Sequence, residues 1–398
     1  MPAPGALLAA VAVLLVAVNL RPGASSVGPV MAEVRADLGM SATTAGVLGA
    51  LPGLAFAVFG ALAVTFAIRV GINGAIMLGA LAAAVGLLGR AAVDDVGPFL
   101  ALTLLAFAGM AVGNVLVPAF VKRQFPGRPA LMTGLYSAGL AVGASVPAAV
   151  TAPLATTLPG GWRAATGVWG LTAAVAVLPW SWYALAERRR RVPGQRSVAW
   201  SIWSVARSRK AVAMAVFFAA QSTQAYVQFA WIAQAYRDGG LDQTTAGLMA
   251  SIIAVLGIPA GIAMPALVSR VADVRPVILV LGLLLAMGYT GILLAPTTLP
   301  WLWAVFLGLS GASFPLAIAL FTLRTRDPRI TSRVSGFTQS HGYLLAGLGP
   351  VAIGSLLEAT GSWTAPLIVL ACSSVVLVGA GLVAAAPGDV DDELPHLR

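Results

Sequence analysis

The sequence predicts an all-α integral membrane fold, with twelve transmembrane helices in two pseudo-symmetric six-helix bundles. Three observations carry that prediction. Of 398 residues, 59% are hydrophobic and only 10% charged, with a mean hydropathy of +0.91, which no ordinary water-soluble domain shows. Twelve apolar runs are each long enough to cross about 30 Å of hydrocarbon as a helix. The chain also repeats itself, so the twelve runs divide into two sets of six.

The runs are 6–36, 43–68, 74–92, 98–120, 130–151 and 162–185, then 211–236, 245–268, 277–294, 299–323, 335–357 and 363–386. The first lacks a basic lead and is too long for a signal-peptide core, so it reads as a retained span. The repeat is visible where Thr43-Thr-Ala-Gly46 recurs as Thr244-Thr-Ala-Gly247, where Gly60 meets Gly261, and where Arg69-Val70 meets Arg270-Val271, all at an offset of 201. Gly161-Trp162 and Ser362-Trp363 keep that offset, and Thr133-Gly134 and Ser335-Gly336 differ by 202. An N-terminal bundle over 1–186 and a C-terminal bundle over 211–386 follow, as parallel repeats about an axis along the membrane normal. Residues 187–210, with Arg188-Arg-Arg-Arg191 and Trp200-Ser-Ile-Trp203, read as a basic cytoplasmic linker with one interfacial helix, its arginines meeting anionic headgroups. Residues 387–398 read as an acidic, solvated cytoplasmic tail.

Charge gives the topology. When loops are assigned alternately, nineteen of the 24 basic residues fall on one side of the membrane and four on the other: Arg35, Arg90, Arg163 and Arg237. By the positive-inside rule both termini are cytoplasmic and the chain resides in the cytoplasmic (inner) membrane. The net charge of +10 is thus a topology signal, and nucleic acid is not an expected partner. Cys372 is the only cysteine, and His341 and His396 are the only histidines, which excludes a thiolate metal cluster. No cofactor or metal is expected. No paired carboxylates, nucleophile–base pair or phosphate-cradling loop is present, so an enzyme is not expected either.

Arg21 is the residue that points to function. It lies in the middle of the first run, it cannot lose its charge, and a guanidinium at the bilayer centre costs roughly 2.5–3.5 kcal/mol even on the lenient insertion scale. It must therefore face a polar interior. Pro22 follows it and removes a helical donor, and a broken helix at membrane depth is tolerated only where protein or a water-filled cavity satisfies the freed groups. Gln221, Gln224, Gln228 and Trp231 share one face of the seventh run at 3.6-residue periodicity, with Tyr226 beside them. Projection through the repeat puts Ser222 or Thr223 at the depth of Arg21. The eleventh run concentrates Gln339, His341 and Tyr343, and as the only histidine in a run His341 is the candidate for proton coupling. Asn19, Asn114 and Tyr136 are the midspan hydrogen-bonders of the first half. No Asp or Glu sits at the centre of any run, and Glu33 and Glu358 lie near run ends. The expected cavity is electropositive and suits a small anion or an electron-rich polar molecule.

At these residues the chain resembles the major facilitator superfamily, and within it the cyanate porter and nitroimidazole transporter family. The resemblance spans almost the whole chain. It rests on Asn19-Leu-Arg-Pro22, Gly113-Asn-Val-Leu-Val-Pro118 with Lys122-Arg-Gln-Phe-Pro126, and Met132-Thr-Gly-Leu-Tyr136. In the second half it rests on Gln221-Ser222 with Tyr226 and Trp231, Ser313-Phe-Pro315, Leu323-Arg324, Gln339-Ser-His-Gly-Tyr343 and Gly361-Ser-Trp363. It implies the major facilitator fold, with a central cavity that opens alternately to either side. One departure is that the loop after the second helix, within residues 60–71, lacks the acidic residue usual in the superfamily, so its gate charge pair is not expected here.

The expected function is secondary active transport of a small anion or polar organic solute, cyanate-like or nitroimidazole-like, by alternating access with Arg21 as anion anchor. Asn19, Asn114, Tyr136, Gln221, Gln224, Tyr226, Trp231, Gln339 and His341 are the other expected substrate contacts. The alternative is a multidrug exporter of hydrophobic or cationic compounds, motivated by the aromatic Tyr136, Tyr226 and Trp231 and weakened by the lack of a midspan carboxylate. A small-molecule substrate and the lipid bilayer are the expected partners of a monomer.

Overall fold

A computed structural model of the protein describes residues 5–125, 129–188 and 202–394. Most of the basic linker, with its arginine run and Trp200, lies outside the described residues, as does His396. The described elements are helical. The first span is α1 (Ala6–Asn19), a short α2 (Pro22–Ser25), a 3₁₀ turn at Gly28–Val30 and α3 (Met31–Leu38). Spans two to six are α4 (Ala42–Val70), α5 (Ile72–Arg90), α6 (Val96–Gln124), α7 (Pro129–Thr157) and α8 (Gly161–Arg188). The seventh span runs through α9 (Arg209–Val227), a π-helical turn at Gln228–Ile232 and α10 (Ala233–Asp238). The eighth is α11 (Gln243–Val255) with α12 (Gly257–Val268), and the ninth is α13 (Arg275–Leu294). The last three are α14 (Pro300–Ser310) with α15 (Ser313–Leu323), α16 (Pro328–Thr360) and α17 (Thr364–Ala385), followed by a short α18 (Val390–Glu393).

Eleven of these stretches are long and apolar enough to cross a membrane. The other is the seventh span, whose glutamine-bearing face lowers its hydropathy. Large apolar side chains stand exposed on the outer surface of the bundle, Leu294 at 76% and Val375 at 73%, as lipid-facing positions require. Inside, small residues let helices approach closely. A methyl group on Gly86 would lie 2.5 Å from the Leu102 carbonyl oxygen and 2.6 Å from the Ala106 nitrogen, so α5 and α6 touch backbone to backbone there.

The repeat is carried by tertiary interactions as well as by residue identity. Ser41 caps α4 by accepting from the Thr44 amide at 3.2 Å, and Asp242, 201 residues on, caps α11 by accepting from the Thr245 amide at 3.0 Å. Hydrogen bonds from the Thr245 hydroxyl and amide hold the Asp242 carboxyl below its ordinary range. Trp162 donates its indole N–H to Asp37 at 2.9 Å, and Trp363 donates to Asp238 at 2.7 Å. Both residues of the second pair lie 201 positions after those of the first. Each half thus ties the end of its first span to the start of its sixth by the same bond.

The halves meet along α4 against α16 and α7 against α11. The hydrogen bonds between described residues of the two halves cluster at the end of the bundle away from the chain termini. Arg237 forms a two-point ion pair with Glu33, at 3.0 and 2.9 Å. The Thr43 amide donates to Glu358 at 2.8 Å, the Thr43 hydroxyl to Ser355 at 3.2 Å, and Gln243 to the Pro29 carbonyl at 3.3 Å. Gly28 faces the Phe229 carbonyl, Gly46 the Pro350 carbonyl and Gly354 the Ala42 carbonyl, so the seam is closed backbone on backbone. The acidic residues noted near run ends serve to join the halves.

Two expectations need correction. The acidic tail is not a free end: its described part folds back onto the bundle, with Asp391 buried and Asp392 and Glu393 exposed. Arg326 pairs with Asp389 at 3.0 Å and also with Asp392, while Asp391 accepts from the Arg326 and Asp327 amides at 3.0 and 2.9 Å. Glu393 caps α9 through Ser208 at 2.7 Å and the Lys210 amide at 3.1 Å, and Val390 and Leu394 are fully buried. The unpaired donors at the start of α9 and after α15 explain why this acidic segment folds back. The second correction concerns Arg90. It is not an extramembrane topology charge, because it is fully buried against the broken first span.

Candidate functional site

The site is built on the break after α1. Asn19 ends α1, Arg21 lies outside helical geometry at φ −124° and ψ −26°, and Pro22 opens α2. Proline at that position forfeits no bond, because the first donors of a helix have no intrahelical partner. The Ser25 and Ser26 amides then bond the Arg21 and Pro22 carbonyls at 3.2 and 3.0 Å. Arg90 reaches the same turn from the end of α5. Its Nη1 donates to the Gly23 carbonyl at 3.0 Å and its Nη2 to the Ser26 hydroxyl at 3.3 Å. A buried guanidinium thus takes up a carbonyl that the irregular turn leaves free, and it braces the segment carrying Arg21.

Arg21 itself is half-buried, and its side chain makes no hydrogen bond or ion pair among the described residues. Its guanidinium carbon stands 5.8 Å from the centroid of the Phe56 ring, within cation–π range. Tyr136, Tyr226 and Tyr343 lie within electrostatic range of it. The Tyr343 ring lies 5.9 Å from Phe56 and 6.3 Å from Tyr226, so the aromatic cluster bridges α4, α9 and α16 and both halves contribute to it. Tyr136 donates to Asn114 Oδ1 at 3.3 Å, which fixes that phenol on the first-half side. The Tyr226 and Tyr343 hydroxyls have no hydrogen-bond partner among the described residues. The result is one permanent cation and two uncommitted phenol donors in an aromatic enclosure, an arrangement that can bind an electron-rich group.

The structure brings Arg21, Asn114, Tyr136 and Tyr226 together. The other expected residues are held elsewhere. Asn19 donates to the Leu15 and Thr172 carbonyls at 2.8 and 3.2 Å and accepts from the Thr172 hydroxyl at 2.8 Å, tying α1 to α8. Gln221 donates to its neighbour Ser222 at 2.5 Å. Gln224 donates to Ser373 at 2.6 Å and accepts from Tyr289 at 2.7 Å, which turns it toward α13 and α17. Trp231 donates to the Pro350 carbonyl at 3.0 Å and packs on Trp363 in the closed seam. Gln339 donates to Ser335 at 2.8 Å, and His341 Nδ1 lies 2.7 Å from the Phe337 carbonyl. Since a carbonyl only accepts, that nitrogen carries the proton.

Sequence reasoning missed Phe56, the bracing role of Arg90, and Tyr343 as a site residue. A signal existed for Arg90, since it falls two residues inside the apolar run 74–92. Nothing marked Phe56, which reads as one more apolar residue of the second span.

The sequence matches the family model described as Major Facilitator Superfamily over residues 7–350. It is 34% identical over 371 residues to an uncharacterized transporter, YycB, of Bacillus subtilis, covering 93% of this chain and 91% of that protein. A 2-nitroimidazole transporter and the cyanate transport protein CynX, both of Escherichia coli, are each 28% identical. They cover 94% and 88% of this chain, and 94% and 90% of their own lengths. A solved structure of the nucleoside transporter NupG superposes with a TM-score of 0.79 at 14% identity, covering 95% of this chain and 100% of that one, a likeness of fold alone. The family match covers most of the chain and agrees with its two six-helix halves, and the chain belongs to the Major Facilitator Superfamily.

Proposed function

We propose that this protein carries a small anion or electron-rich polar organic solute across the cytoplasmic membrane by alternating access, with Arg21 as the anion anchor. Family membership makes it a non-enzymatic, multi-pass transporter of a small-molecule solute. The observation that carries the finer reading is the Arg21 guanidinium, which is midspan, half-buried and without an anionic partner among the described residues, beside two uncommitted phenols. A bound anion removes the cost of that unpaired charge. The relatives are named for cyanate, a small anion, and for 2-nitroimidazole, whose nitro oxygens accept hydrogen bonds, which supports a site built from a cation and phenol donors. With both termini cytoplasmic, the closed seam faces outward and the site is reached from the cytoplasm.

No Asp or Glu among the described residues lies beside Arg21, which leaves the reading as an exporter of cations without an attracting charge. In proteoliposomes, uptake of cyanate, 2-nitroimidazole or a small carboxylate should fall about 10- to 100-fold in Arg21→Gln, the loss of one charge-assisted hydrogen bond. Unchanged uptake of every transported solute would remove Arg21 from the site. His341 remains the proton-coupling candidate, and His341→Gln should abolish the response of transport to a pH gradient.

A further inference from the structure

Beyond the Arg21 turn, toward the closed end, a cavity of about 130 Å³ lies between the halves. Its walls are mostly small or apolar, with Ala148 from α7, Ala225 from α9, Ile253 and Ala254 from α11, Gly257 from α12 and Gly308 from α14. Among the described residues only two polar side chains border it, and each is already engaged in a hydrogen bond elsewhere. The single Ser25 hydroxyl hydrogen is shared between the Arg21 and Gly143 carbonyls, at 3.2 and 3.4 Å, and the Gln228 amide donates to Tyr289 at 3.3 Å. The chamber therefore has little to offer a charge and suits an apolar group.

Its position relative to Arg21 gives it a purpose. Ser25 lines the chamber and is bonded through its amide to the Arg21 carbonyl, so the two lie one helical turn apart. Ala225, on the opposite wall, adjoins Tyr226 of the aromatic cluster. The closed seam covers the far side, where Gly28 and Pro29 line the chamber and also meet Phe229 and Gln243. An apolar cavity on the order of 150 Å³ stays dry and accepts benzene, so this one has room for a single six-membered ring.

We propose that this chamber is a second subsite, taking the ring of a monocyclic organic anion whose anionic group is held at Arg21. The inference rests on the Arg21 reading and narrows it, because a three-atom ion such as cyanate would leave the chamber empty. The occluded ligand is then an amphipathic anion with one ring.

Equilibrium binding to the detergent-purified full chain tests it, with acetate, benzoate and 1-naphthoate as probes. Benzoate should bind about tenfold or more tightly than acetate because its ring leaves water, and naphthoate should bind more weakly than benzoate because a second ring exceeds the chamber. Benzoate no tighter than acetate, including binding of neither, would overturn the proposal, as would affinity that rises again with naphthoate. A methyl group on Gly257 meets nothing within 4 Å, so Gly257→Leu should remove the preference for benzoate while acetate still binds. A preference unchanged in folded Gly257→Leu would also overturn it. Arg21→Gln separates the two claims: binding indifferent to that change refutes the anchor, whereas Arg21-dependent binding without ring preference refutes the chamber alone.

Discussion

The proposed alternating-access mechanism requires the closed seam to part, and Gly46→Ala should make it part. A β-carbon at position 46 would lie 2.5 Å from the Pro350 carbonyl oxygen and 2.8 Å from the Val351 α-carbon. Ordinary carbon–oxygen contacts begin near 3.3 Å, so the α4 and α16 backbones must separate by on the order of 1 Å. Overpacking of this kind costs about 1–3 kcal/mol, and only in the closed state. The gain in helix propensity from replacing glycine, roughly 1 kcal/mol, accrues in both states and cancels from their ratio. The equilibrium should therefore shift about 5- to 150-fold toward the form open at this seam. Ala233 lines the covered chamber and is 1% exposed, so a cysteine placed there in a Cys372→Ser background reports opening. A membrane-impermeant maleimide added from the outer side should label it faster by that factor in Gly46→Ala. Gly354→Ala, which meets the Ala42 carbonyl across the same seam, should act alike. Gly379→Ala, whose methyl meets nothing within 4 Å, should not. Labelling unchanged by both seam substitutions would refute the assignment of this seam as the moving gate.

Other consequences are smaller or concern stability. Glu33→Gln breaks a partly exposed pair worth about 0.2–1 kcal/mol, so it should speed the same labelling less than Gly46→Ala and lose its effect at high salt; a larger effect would make charge the dominant latch. Arg90→Gln removes two bonds from a buried cation and strands the Gly23 carbonyl, at a cost of about 2–4 kcal/mol; Tm should drop and Arg90→Lys should restore part of it, whereas an unchanged Tm would show that the brace is idle. Ending the chain after Gly388 removes the Glu393 cap and the Arg326 partners, and should cost about 1–2 kcal/mol in thermal unfolding while ligand affinity stays the same. Lost affinity would mean that the tail acts on the site.

The fold was legible because membrane spans are long apolar runs and because the repeat keeps its offset even where residues change. Ser41 and Asp242 differ in type yet cap equivalent helices. Arg21 and its break were legible for a similar reason, since a permanent charge followed by proline in an apolar run is too costly to keep unless both face a polar interior. The orientation of the seventh span was not. Gln221, Gln224, Gln228 and Trp231 fall on one face only if every turn holds 3.6 residues, and the π-helical turn at Gln228–Ile232 inserts an extra residue that rotates the remainder of the span. Gln224, ahead of that turn, bonds Ser373 and Tyr289, while Trp231, inside it, faces the seam. Arg90 was misread because its burial depends on an irregular turn in another span, which loop counting does not register. The acidic tail was misread because its partners, Arg326 and Lys210, are distant in sequence and the helix starts it caps give no local sign.

The central claim is that the unpaired guanidinium of Arg21 binds an anionic or electron-rich group, and ligand-dependent thermal unfolding of the purified protein tests it most directly. A bound ligand stabilises the folded state in proportion to its occupancy, whatever the direction of transport. Cyanate, nitrate, small carboxylates, 2-nitroimidazole and lipophilic cations would be compared on the parent, Arg21→Gln and Arg21→Lys. Stabilisation by an anionic or nitroaromatic class that vanishes in Arg21→Gln and partly returns in Arg21→Lys is the predicted result. Stabilisation by cations alone, or by anions equally in all three proteins, would contradict the account.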